Sequence, residues 1–135
     1  MFIFLNWQDS SDFHPSNKPN NFIVNLSKSL FLEGKWEVAL TDIKVKSSKK
    51  STFYLLSDIC EESFLKGSRY PVLRRVYSKE AEYNLPYYVE VNKTEVQSIR
   101  LILLDQNLNS YNLSDIECTL HLRKKNEDSR RLHAV

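Results

Sequence analysis

Ile116-Glu117-Cys118-Thr119-Leu120-His121-Leu122-Arg123 alternates apolar and polar residues through eight positions. Only an extended chain sends successive side chains to opposite sides, so this is a strand with Ile116, Cys118, Leu120 and Leu122 facing a core. The same period recurs upstream. Trp36, Val38 and Leu40 form one face against Glu37, Ala39 and Thr41, and Ile43 and Val45 continue against Lys44 and Lys46. The apolar phase slips by one between Leu40 and Ile43, which predicts a β-bulge near Thr41-Asp42. Phe22, Val24 and Leu26 give a third alternating run, and Ile99 to Leu104 is apolar on both faces apart from Arg100, as a central strand covered on two sides would be. The core expected from these runs contains Phe22, Val24, Leu26, Trp36, Val38, Leu40, Leu101, Leu103, Leu120 and Leu122. Truncating Trp36 to alanine there would cost about 3–5 kcal/mol.

Eight strands follow from the pattern, at about 1–7, 21–27, 35–46, 52–59, 71–77, 86–92, 97–105 and 116–124. Turn chemistry separates them. Pro15 to Asn21 reads as a loop, Glu33-Gly34-Lys35 as a tight turn, and Asp105 to Asn109 as a hairpin-like connection in which Asn takes the left-handed conformation. Glu61 to Lys66 reads as a helical turn ended by Gly67, and Asn92 to Glu95 as the start of another. Short strands at this spacing without a long helix give an all-β fold, a sandwich or a barrel. The domain is expected to span residues 1–124. Residues 125–135 lose the pattern and read as a flexible charged tail.

Composition agrees. The chain has 135 residues, with seven Tyr, seven Phe and two Trp but only two Gly. Aromatic side chains suit a pleated surface, and the length suits one domain without room for a separate cofactor-binding half. Nineteen Lys+Arg against 17 Asp+Glu leave a net charge of +2, too small for a strong long-range pull on nucleic acid. The opening Met1-Phe2-Ile3-Phe4-Leu5 is apolar for five residues without a basic leader, too short for a signal peptide or a membrane span. Cys60 and Cys118 make no disulfide framework, so the expectation is a protein made and kept in a reducing interior.

The residues that carry chemistry are scattered. His14, His121 and His133 lie far apart with no second ligand at metal spacing, and Gly34 and Gly67 cannot build a phosphate loop. No enzyme and no cofactor is expected. Lys44-Val45-Lys46-Ser47-Ser48-Lys49-Lys50 could meet phosphates, with Tyr54, Tyr87 or Tyr88 for stacking, but the wet face of a strand and its turn explains it more simply. Arg74 and Arg75 are consecutive in a strand and face opposite ways, so one must approach the core or an interface, by default beside a carboxylate or carbonyls. Phe2, Phe4 and Trp7 are large apolar residues near a terminus. They form either this domain's first strand or a strand added to a neighbour's sheet. With Arg74, Arg75, Arg123 and Lys124 they are the candidate partner interface.

Phe22-Ile23-Val24-Asn25-Leu26, Leu30, Leu32, Glu33-Gly34-Lys35-Trp36-Glu37-Val38-Ala39-Leu40 and Ile43 form an ordered set of motifs. Pro71 to Arg75, Pro86 to Val91, Ile99 to Asp105 and Cys118 to Arg123 extend it over roughly residues 10–124. The set resembles small β-rich proteins of Polinton/Maverick-like elements and related eukaryotic DNA viruses. It departs from them at Leu108-Asn109, where a glycine often stands in the late hairpin. The resemblance implies an all-β fold, a single β-sandwich of about eight antiparallel strands of jelly-roll type, and a virion structural role as a vertex (penton-like) or minor capsid component. It would assemble through sheet edges and faces with other capsid proteins or copies of itself, a pentamer being the vertex number. The alternative is a non-virion intracellular binding module for a protein or nucleic-acid partner.

Overall fold

The computed structural model describes residues 1–49 and 52–125. Eleven strands and no helix occur among them. The first four are β1 (Phe2–Asn6), β2 (Asn21–Phe31), β3 (Trp36–Lys46) and β4 (Phe53–Ser57). Three short ones follow, β5 (Ser63–Leu65), β6 (Ser68–Tyr70) and β7 (Val72–Val76). The chain closes with β8 (Glu80–Glu82), β9 (Val89–Glu90), β10 (Glu95–Leu104) and β11 (Asp115–Lys124). One sheet runs β1-β11-β3-β8, with β9 also on β3, and the other runs β2-β10-β4-β7, every pair antiparallel. The fold is an all-β sandwich. First strand pairs with last, second with second-to-last, and so inward to β4 with β7, which bears the connection back.

The inner faces are those the period-two pattern marks. Phe22, Val38, Leu40, Ile99, Leu101, Leu103, Ile116, Leu120 and Leu122 are buried between the sheets, with Val24, Leu5, Phe53 and Leu55. The bulge is present at Thr41. Thr119 pairs with Asp42 but Leu120 pairs with Leu40, so Thr41 has no partner on β11. The extra residue moves the buried set from Val38 and Leu40 to Ile43 and Val45, keeping both halves of β3 on the core. Thr41 Oγ1 donates to the Thr119 carbonyl at 3.1 Å, and Thr119 Oγ1 donates to Asp42 at 3.0 Å, which pins the irregularity from outside.

Several expectations change. Trp36 is only half-buried at the entry of β3, packed against the core from its rim with its indole N–H on the Glu33 carbonyl. Leu26 is half-buried too, because the pairing of β2 with β10 jumps from Asn25 to Leu30 and leaves Leu26 between two registers. The outer face of β10 is covered only in part, with Ile102 and Leu104 half-exposed. Glu61 to Gly67 is not a helical turn. Lys66 and Gly67, with φ of 50° and 83°, are the two-residue turn of the β5–β6 hairpin. No helix begins at Asn92, since β10 starts at Glu95. In the late hairpin Leu108, at φ 64°, takes the left-handed position expected of Asn. The segment expected as strand 86–92 pairs only at Val89–Glu90, with a bridge from Val91 to Cys60. Lys125 is hydrogen-bonded to the Lys35 carbonyl and to Glu90, and residues 126–135 of the expected tail lie outside the described residues.

Candidate assembly interface

A sandwich has four sheet edges, and an edge strand offers unpaired N–H and C=O groups to any chain that arrives. Three of the edges here are obstructed. Against β2, the Asn17 amide accepts from the Ile23 N–H and donates to its C=O at 3.0 and 2.9 Å, as a neighbouring strand would, and Ser10 Oγ takes the Asn25 N–H. The β8/β9 edge is short and broken and carries Glu80, Glu82 and Glu90. The β7 edge carries Arg74 and Arg75.

β1 is different. Met1 and Leu122 exchange both backbone hydrogen bonds, at 2.9 and 2.8 Å, so antiparallel alternation points the backbone groups of Met1, Ile3 and Leu5 at β11. Those of Phe2 and Phe4 therefore face outward. The Asn6 N–H, next in that outward series, is already taken by Asp9 Oδ2 at 2.9 Å. Leu5 is buried and Ile3 packs on the core, whereas Phe2 and Phe4 are 59% and 75% exposed on the other face. The edge thus joins free backbone polarity to two exposed aromatic rings.

The remaining candidate residues do not gather there. Trp7 packs on the core with its indole N–H donating to Asp115 at 3.0 Å. Arg74 is the arginine turned inward, but its partner is aromatic: the guanidinium lies 3.5 Å over the Tyr83 ring, with Nη1 buried and unbonded. That corrects the expected carboxylate or carbonyl. Burial raises the Tyr83 pKa, against the opposing positive charge of Arg74. Arg75 is exposed between Tyr54 and Tyr77. Arg123 binds Glu37 at 2.7 Å and stacks 3.5 Å over Tyr88, and Lys124 is exposed beside Gly34.

Beside β1 sits a polar cluster that sequence reading missed, because its members come from three distant segments. Tyr88 and His121 Nδ1 are 2.7 Å apart, and Phe2 lies on the imidazole with ring centres 4.6 Å apart. Desolvation, then the Met1 ammonium and Arg123, hold the His121 pKa below its usual 6.5. A depressed folded-state pKa means the unfolded chain binds the proton first. The neutral ring's contribution to stability is therefore complete above pH 6.5 and is lost as pH falls through the lowered value. An NMR titration should find His121 titrating below 6.5, and Arg123→Gln should move it up; an unshifted His121 would contradict the cluster.

Further along the same outer face runs an open groove lined by Asp9, Asp42, Glu80, Glu82 and Glu117 around Lys44. These carboxylates would repel phosphates, so Lys44 does not extend a basic face. Lys46 and Lys49 are exposed, and Lys50 lies outside the described residues. Of the tyrosines weighed for stacking, Tyr54 is buried, Tyr88 is covered by Arg123, and Tyr87 is free at the surface. His14 reaches Asn25, and no group of three His, Cys, Asp or Glu among the described residues could hold a metal ion. Compared with protein-family models and with curated proteins, the chain matches none.

Proposed function

We propose that the sandwich is a jelly roll and that the protein is a virion structural component, a vertex (penton-like) or minor capsid protein. The observation that carries this reading is the nesting of its strand pairs. A jelly roll is a long hairpin of four strand pairs rolled into two sheets. The pairs β1·β11, β2·β10, β3·β8 and β4·β7, closed by β11 on β3 and β10 on β4, supply that order. The motif resemblance to Polinton/Maverick-like elements and related viruses adds the setting. An apolar open edge at β1 supplies a means of association with copies of itself or with other capsid proteins.

The test is compositional. Particles purified from producing cells should contain the polypeptide at a fixed stoichiometric copy number, unaffected by nuclease or high salt. Its absence from particles would remove the virion role. A non-virion binding module has the exposed Lys46 and Lys49 in its favour. In its nucleic-acid form, affinity would fall steeply with salt as counterions are released. Binding that ignores salt would leave that module only a protein partner.

A further inference from the structure

We propose that β1 is a homotypic docking edge, on which the β1 of a second copy adds antiparallel about a two-fold axis through Ile3. This rests on the assembly reading above only in using an edge, and it holds with or without a particle. Charge selects the occupant. No charged side chain lies between Phe2 and Gln8, so a charged incoming strand would find no counter-charge opposite it on β1. Among the described edges of this chain, β7 bears arginines, β8 and β9 bear glutamates, and β2 is closed by Asn17 and Ser10. The separate β5–β6 hairpin offers one further neutral edge, β5, but it is three residues long between Glu62 and Lys66, so another β1 is the strand that matches.

The register follows from which groups are free. With Ile3 opposite its symmetry mate, Phe2 of each copy faces Phe4 of the other, and their four outward N–H and four outward C=O groups pair as four hydrogen bonds. All four phenyl rings then meet on one face. A register two residues longer would set Phe2 of one copy against Asn6 of the other, whose N–H is held by Asp9, and the Asp9 carboxylate would meet an incoming carbonyl. The interface is isologous and closes at two. It is small beside the roughly 1,200–2,000 Å² of a stable complex, so association is expected to depend on concentration.

Light scattering on the full chain over a rising concentration series should show the mass moving from monomer to dimer. Phe4→Lys should abolish the dimer and leave the monomer folded, since Phe4 is 75% exposed on the outer face. Phe64→Lys, at a residue 77% exposed on the β5–β6 hairpin, is the matched control and should leave the dimer intact. Ile3→Cys should give a disulfide-linked dimer under mild oxidation with diamide, the two Ile3 sites being closely opposed. A monomer at every concentration would overturn the proposal, as would a dimer indifferent to Phe4→Lys and not cross-linked through Ile3→Cys. Particles that still incorporate Phe4→Lys would keep the virion role while removing β1 from it. A dimer formed by a protein absent from particles would do the reverse.

Discussion

Phe53→Ala is expected to destabilise the protein by about 3–5 kcal/mol, the cost of deleting a buried aromatic ring and leaving its cavity. Phe53 is fully buried between the sheets, and its ring centre lies 4.7 Å from that of Tyr111, tilted by 51°. The neighbours cannot collapse into the space, because Leu55 and Leu103 are themselves held in the paired strands β4 and β10. For a domain of ordinary stability, about 5–15 kcal/mol, this loss takes a large share of the total. Trp36→Ala should cost less, about 1–2 kcal/mol, because the half-buried indole sits at the rim with its N–H on Glu33. Urea unfolding with an unchanged slope gives both numbers. If Trp36→Ala proved the costlier, the placement of the core relative to the entry of β3 would be wrong.

That contrast shows what kind of information the sequence carries. Which face of a strand is buried is written in its period, so the inner faces of β3, β10 and β11 and the bulge at Thr41 were legible. Depth along the strand is not written there. Trp36 is in phase with Val38 and Leu40, yet it stands next to Gly34, where the chain enters the sheet from solvent. Leu26 is in phase with Val24, but a register jump against β10 leaves it only half-covered where it packs on the core. Short elements were lost for another reason. Glu80-Ala81-Glu82 has almost no apolar signal and becomes β8 only because β3 offers it an edge. Lys66-Gly67 is ambiguous locally, since a left-handed glycine ends helices and also turns hairpins.

The candidate site divides along the same line. Phe2, Phe4 and Trp7 stood out as apolar residues near a terminus, and composition could not say which would be used internally. Spacing plus topology settles it: β1 turns Ile3 and Leu5 inward, Phe2 and Phe4 outward, and Trp7 falls beyond the strand, where Asp115 holds it. The obstruction of the β2 edge was invisible in sequence. It needs Asn17 to fold back across six residues and mimic a strand's hydrogen bonds. An edge left open is therefore informative only once the closed ones are seen.

Native Cys60 and Cys118 should resist thiol reagents by a wide margin. Both thiols are free and buried, and burial first, then nearby carboxylates, pushes each pKa up from 9.0 to about 12. Asp58 adds to the effect at Cys60, and Asp42, Asp9 and Glu117 at Cys118. Three pH units lower the reactive thiolate fraction about a thousandfold at pH 8, before any steric shielding. In the native protein neither thiol should react promptly with a disulfide reagent, and both should react at once in urea. Slow native labelling then measures opening, and the two sites report different openings. Cys118 lies on β11 directly opposite Leu5 of β1. It is uncovered when β1 detaches, whereas Cys60, bridged to Val91, is not. If β1 belongs firmly to its own domain, Cys118 should label no faster than global unfolding allows. If β1 leaves to join a neighbour's sheet, Cys118 should label ahead of Cys60. Pairing of two β1 edges, which adds a strand outside β1 instead of removing it, should slow Cys118 labelling further as protein concentration rises.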